Sequence, residues 1–269
     1  MKRIVTIGCA LLALFSAKAQ QKEGKVVYER TVQMQISFAG MNEEMQRMIP
    51  KSRTDRFDLT FGNNQSLWRQ AEVENADDGT FASEGGGMQV RTVMAGSNDV
   101  LFTNFETGKR VEKRELFDKT FIVDDSVKAL KWKMTGESKM ILGHNCMKAE
   151  APQISKRMQT TMDNGKMERK EVTDTSVVTA WFAADMPVPA GPAEFQGQLP
   201  GVILELSAGT RLNFKAVEIS PKADIASIKE PTGKKRYTAA EFSKERDKML
   251  KEMERSGGGP GGRTIRFGN

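Results

Sequence analysis

The sequence predicts a mainly β fold of the α+β kind: a single curved antiparallel β-sheet or half-barrel-like domain with a few short helices. Three observations predict it. Phe57, Leu59 and Phe61 alternate with Arg56, Asp58 and Thr60, the period-two pattern of a strand with one dry face. Apolar stretches of strand length recur between Gly, Asn and Pro clusters, and no helices alternate with them, which argues against βαβ units. Once an N-terminal leader is set aside, Cys146 is the one cysteine left. It has no intramolecular disulfide partner, so a hydrophobic core of ordinary size must carry stability.

The leader comes first. Lys2 and Arg3 precede an apolar run over 4–15, and Ala17-Lys18-Ala19 closes it as a small-residue cleavage site. Residues 1–19 therefore read as a secretory signal peptide, cleaved after Ala19. The run is shorter than the ~20 apolar residues that span a bilayer. Gly8-Cys9 is a poor lipidation site, because only residues 4–7 precede it and Thr6 stands where such sites prefer Leu. Losing Lys2, Arg3 and Lys18 lowers the net charge from +6 to +3. The remaining Lys and Arg are interleaved with Asp and Glu, so no nucleic-acid partner is expected.

Residues 20–255 form the expected β-rich domain. After the strand around Phe57, Gly62-Asn63-Asn64 supplies turn residues that tolerate positive φ, and 66–73 returns as the hairpin partner. A second hairpin runs from 100–105 through Glu106-Thr107-Gly108 to 110–116. Further strands are predicted over 140–148, 171–182, 202–207 and 212–219, and 75–87 reads as a long acidic and Gly-rich loop. A helix over 41–49 would gather Met41, Met45, Met48 and Ile49 on one face before Pro50. A second helix runs from Thr238 to about Arg255. Thr238-Ala239-Ala240-Glu241 is a capping box, Tyr237 and Phe242 form its hydrophobic staple, and Phe242, Met249, Leu250 and Met253 line one stripe. Residues 256–269 form a flexible Gly- and Arg-rich tail. Ile265 and Phe267 share one side of its extended end, a pattern suited to adding as a strand to a partner's sheet edge.

Residues 197–206, GQLPGVILEL, raise the question of what a tight turn feeding an apolar segment is for. Leu199-Pro200-Gly201-Val202 fits a type II turn with Pro200 at i+1 and Gly201 at i+2. From Val202 on, Val202, Leu204 and Leu206 fall on one face, against Ile203 and Glu205 on the other.

Together with Trp181-Phe182, Pro187-Val188 and Gly191-Pro192, the run Leu199-Pro200-Gly201-Val202-Ile203-Leu204-Glu205 resembles the signature of the GLPGLI family. Met48-Ile49-Pro50, Gly108-Lys109-Arg110-Val111, Trp132-Lys133-Met134-Thr135-Gly136-Glu137, Ile141-Leu142-Gly143 with Cys146, and Lys229-Glu230-Pro231-Thr232 extend the likeness over most of the mature chain. The name-giving hexapeptide reads Gln198-Leu199-Pro200-Gly201-Val202-Ile203, with the leading Gly displaced to Gly197. The resemblance implies a secreted, periplasmic or outer-membrane-associated protein of the Bacteroidota type, in a family without a defined activity. It also implies an accessory role beside TonB-dependent outer-membrane transport.

Candidate chemistry is sparse. His144-Asn145-Cys146 holds the one His and the one mature Cys, and period two puts both on one strand face. A thiol beside an imidazole suits copper, zinc or a nucleophilic dyad, but neither a four-ligand zinc pattern nor a third orienting group is visible. Cys146 therefore reads first as core packing. The clusters Met34/Met41/Met45/Met48 and Met158/Met162/Met167 read as packing before Cu(I) ligation. No nucleophile elbow, HExxH or phosphate loop occurs. Asp185, Glu194 and Glu205 lie near the signature without forming a recognisable pair. The expectation is a non-catalytic envelope binding protein without a cofactor. Its expected partners are an outer-membrane or periplasmic protein engaged through the tail, or an apolar ligand in the sheet's concavity. The alternative is metal or redox handling through His144, Cys146 and Met residues.

Overall fold

The computed structural model describes residues 21–33, 51–71, 80–82, 89–91, 98–116, 119–163 and 166–256; for 80–82, 89–91, 155–163, 166–171, 174 and 253–256 it describes the backbone. The elements are β1 (Gly24–Gln33), β2 (Ser52–Gly62), β3 (Gln65–Gln70), β4 (Thr80–Ala82), β5 (Gln89–Arg91), β6 (Val100–Asn104), β7 (Lys109–Leu116) and β8 (Lys119–Ser126), then β9 (Lys133–Ile141), β10 (His144–Asp163), β11 (Lys166–Ala183), β12 (Val202–Ala208), β13 (Leu212–Ser220), β14 (Arg236–Thr238) and α1 (Ala239–Ser256). Twelve strands form one open sheet in the order β14-β8-β7-β6-β3-β2-β1-β13-β12-β11-β10-β9, and β4 pairs with β5 apart from it. The mainly β prediction holds. One pair departs from the all-antiparallel expectation: β14 runs parallel to β8, because the chain reaches that edge by the long connection from β13.

The sheet curves around its main core. Leu101 of β6 and Ile141 of β9, far apart in strand order, belong to one buried cluster. Phe57, Leu59 and Phe61 of β2 are buried as their alternation predicts. Trp68 stacks on Phe57 at 4.9 Å and meets Tyr28 and Phe214 at tilted and edge angles, joining β1, β2, β3 and β13. Toward β14 both faces are dry. Leu67, Phe102, Val111 and Ile122 pack beneath Ile225 and Ile228, while Phe121 and Val123 face α1 through Phe242.

The Asn63-Asn64 turn is present, with φ of 51° and 57°. The α1 cap forms as read: the Thr238 hydroxyl accepts from the Glu241 amide at 3.2 Å, and the Thr238 amide donates to the Glu241 carboxylate at 2.8 Å. Tyr237 and Phe242 both pack on the Phe121 ring. Leu250 departs from the apolar stripe and is exposed. The expected strand over 140–148 is two strands. Leu142 and Gly143, at φ of 48° and 85°, make a two-residue turn between the paired Ile141 and His144. Leu is a rare residue at positive φ, so the apolar run masked the turn. The loop expected over 75–87 contains β4. The helix expected over 41–49, the tail from 257 and the leader lie outside the described residues.

β10 and β11 pair from Cys146↔Ala183 to Asp163↔Lys166. β9 follows β10 only to Glu150, and β12 follows β11 only from Val178. The rest is a two-stranded ribbon roughly 40 Å long at 3.3 Å per residue. At the open β9 edge, Thr135-Gly136-Glu137 bulges out with Gly136 at φ 82°, which blunts that edge for strand addition.

Candidate functional site

The signature residues between Trp181 and Glu205 build a plug. Between β11 and β12 the chain turns back onto the curved face of the sheet, burying Met186, Val188, Ala190, Phe195 and Leu199 in the main core. Its backbone is stitched to β12: the Val202 amide donates to the Met186 carbonyl at 3.1 Å, and the Ile203 amide to the Ala190 carbonyl at 2.9 Å. The Gly197 amide donates to the Pro189 carbonyl at 2.6 Å. The Tyr28 hydroxyl donates to the Ile203 carbonyl. Complete burial of that phenol, with the nearby Cys146 adding to it, holds its pKa far above the usual range.

Two glutamines pin the plug. Gln196 is fully buried and its Oε1 accepts from the Ser66 hydroxyl of β3. Gln198 Oε1 accepts from the Leu130 amide and the Trp132 indole, each at 3.0 Å. Sequence reasoning named Gln198 only as the first residue of the hexapeptide and passed over Gln196. Their signal was polar residues at alternate positions between the apolar Phe195 and Leu199.

The type II turn assigned to 199–202 is not what forms. Gly201 lies outside the left-handed region, whereas Gly197 occupies it at φ 77°. Gly201 is glycine because of close approach: a Cβ there would sit 2.2 Å from the Ala183 carbonyl oxygen. Gly191 has the same role more mildly, facing Ile203 Cδ1 at 2.9 Å. The expected alternation in β12 is also corrected. Val202, Ile203, Leu204 and Leu206 are all buried and only Glu205 turns outward, because the plug covers the start of the strand. Pro192 is buried, Pro187 half-buried and Pro200 exposed.

On the opposite side, the register aligns Lys148, Trp181, Glu205, Lys215, Glu29 and Arg56 in one row across six strands. Lys139 lies 4.3 Å over the Trp181 ring and 2.8 Å from Glu205. Trp181 and Glu205 thus belong to a charged, solvated ladder that keeps this face wet.

His144 and Cys146 do not act on each other as a dyad. The imidazole Nδ1 lies 2.9 Å from Asp185 Oδ2, while the Cys146 thiol sits against the His144 backbone carbonyl at 3.7 Å. Cys146 is fully buried, and burial first, then the Asp185 charge, pushes its pKa up to about 11. A thiolate nucleophile or ligand needs the reverse shift. Among the described residues, no three His, Cys, Asp or Glu side chains gather as metal ligands. Of the nearby carboxylates, Asp185 is engaged by His144 and Glu205 by Lys139; Glu194 lies in the middle of the short 3-10 turn Ala193–Phe195. No helix among the described residues is long and apolar enough to cross a membrane.

The exposed apolar residues are unevenly placed. Among the described residues the large ones are Met134, Met140, Leu142, Met147, Ile154, Val177 and Leu250. All but Leu250 lie on β9, β10, β11 or the turn joining β9 to β10. Met134 and Met147 stand opposite Ala149 and Ser138, and Met140 opposite Asn145.

The molecule is thus an open, mainly antiparallel sheet plugged by its own β11–β12 connection. Residues 132–205, which carry that plug and the apolar end, match the family model described as "Protein of unknown function (Porph_ging)". No curated protein matches the chain. Among solved structures, PNGF-II in a C2 crystal form is similar with a TM-score of 0.48 and 16% identity over 86% of this chain. PNGF-II in a P21 form gives 0.49 and 15% over 84%. The chain spans about a third of those chains, 33% and 34%.

Proposed function

We propose that this chain is a non-catalytic envelope binding or accessory protein of the GLPGLI kind, exported by cleavage near Ala19, that engages an outer-membrane or periplasmic protein. The observation that carries the reading is the concentration of exposed apolar residues at the β9–β11 end. Met140 and Met147 are 65% and 40% exposed on the side of β9 and β10 away from the charged ladder, while Ile154, 72% exposed, stands on the ladder's own side farther along the ribbon. Clustered exposed apolar residues mark contact surfaces, and Met adapts to varied partners. A two-stranded ribbon is marginal alone in water, which favours a partner at the same end. The curved face is occupied by Met186, Val188, Phe195 and Leu199, which favours a protein partner over an apolar ligand in the concavity. The bulged β9 edge favours contact through side chains over strand addition there. The tail would then add reach, and an accessory role beside TonB-dependent transport fits this reading.

The experiment is capture from detergent-solubilised envelope, comparing the native chain with a Met140→Asp/Met147→Asp variant and with a chain ending at Ser256. Loss of one defined envelope protein with the Met variant, at unchanged melting temperature, supports the reading. Equal capture by the Met variant overturns it. Copper or zinc at one equivalent in the purified protein would favour metal handling instead.

A further inference from the structure

Among the described residues, β6 and β7 carry two buried polar atoms without a hydrogen-bond partner, and the register sets their residues side by side. Thr103 and Arg110 are direct cross-strand partners. Thr103 is fully buried and Arg110 is 6% exposed. Thr103 Oγ1 and Arg110 Nε both lack a partner among the described residues. Side chains opposite one another in an antiparallel pair share a face at ~5 Å between Cβ atoms. Ser66, next along the same row, donates its hydroxyl hydrogen to Gln196 and makes no hydrogen bond with Thr103. Arg110 Nη2 donates to Glu112 Oε1 at 3.0 Å, and Arg114 Nε donates to the other oxygen of Glu112. One carboxylate therefore serves two guanidinium groups, and the trio keeps one positive charge. On the neighbouring β8, Asp125 stands opposite Arg110 but is paired with Lys128 at 3.1 Å.

We propose that Thr103 and Arg110 hold a buried monovalent anion of chloride size beneath the plug. Arginine stays charged at any working pH, and its Nε–H can only donate. A hydroxyl beside it can donate too, so the shared occupant must accept from both. A buried polar group without a partner is destabilising, and a bound water or ion is its ordinary remedy. The surplus positive charge selects an anion over a water, and the burial of both atoms selects a monatomic ion over an oxyanion. Such an ion would tie β6 and β7 together under Gln196.

The test uses the full mature chain, melted in sodium chloride, sodium bromide and sodium gluconate at equal ionic strength. The proposal expects a saturable rise in melting temperature with chloride or bromide over gluconate. Thr103→Val should abolish that rise. In crystals grown with bromide, an anomalous peak should lie within hydrogen-bond distance of Thr103 Oγ1 and Arg110 Nε. The opposite results overturn it: equal melting in all three salts, with Thr103→Val as stable as the native chain or more so. A water refined at that position without a bromide peak would also overturn it, whether or not the variant folds.

Discussion

Gly201→Ala adds one methyl group where the backbone leaves no space for it. The Cβ would stand 2.2 Å from the Ala183 carbonyl oxygen, 2.9 Å from its carbon and 3.0 Å from Phe182 Cδ2. A flexible side chain could swing away; a backbone carbonyl in a paired strand cannot. Relief requires moving the start of β12 off β11, which strains the Val202–Met186 and Ile203–Ala190 hydrogen bonds. Overpacking costs typically 1–3 kcal/mol, and backbone contact puts this substitution at the top, about 3 kcal/mol. For a domain of this size that lowers the melting temperature by roughly 6–12 °C. Urea unfolding with an unchanged m value measures it. Gly136→Ala is the control, since φ there is 82° with nothing within 4 Å; strain alone should cost it about 1 kcal/mol. Gly201→Asn separates the two explanations, because Asn tolerates a positive-φ turn but not a carbonyl against its Cβ. A Gly201→Ala protein melting within about 2 °C of the native chain, or an Asn variant milder than the Ala one, would refute the close-approach account.

The other expectations follow from the same geometry. Gln196→Ala should cost about 1–3 kcal/mol, and a double-mutant cycle with Ser66→Ala should show coupling between the two residues; additive losses would deny the pin. Cys146 should react slowly with a thiol reagent in native protein and fast in denaturant, with the native rate still climbing toward pH 11. Because its folded pKa is raised from 9.0, the protonated thiol's contribution is intact below pH 9 and lost between about pH 9 and 11. A Cys146→Ser protein that loses stability over that window as steeply as the native one would contradict this. Thr238→Ala should cost about 1 kcal/mol through the α1 cap, read by thermal melting against Ser243→Ala.

Much of the fold was legible because local chemistry and tertiary structure agree. The Phe57-Leu59-Phe61 alternation, the Asn63-Asn64 turn and the Thr238–Glu241 box each declare themselves within a few residues. The misreadings arose where long-range contact overrides local preference. Leu142 takes a positive φ that its type disfavours, Ile203 is covered by Gly191 twelve residues upstream, and Gly201 answers to Ala183 rather than to its own turn. The signature segment was legible in position but not in role. The signature residues stood out, yet their work is to seal the sheet, and the exposed Met140 and Ile154 carry no motif. The shared-face argument for His144 and Cys146 could not foresee Asp185 reaching the imidazole.

Site-specific photocrosslinking in cells tests the binding surface most directly, with a photoreactive residue placed at Met140, at Met147 and, on the charged ladder, at Lys215. One discrete adduct with an envelope protein is expected from Met140 and Met147, and none from Lys215. No adduct from either Met position, or the same adduct from Lys215, would contradict it.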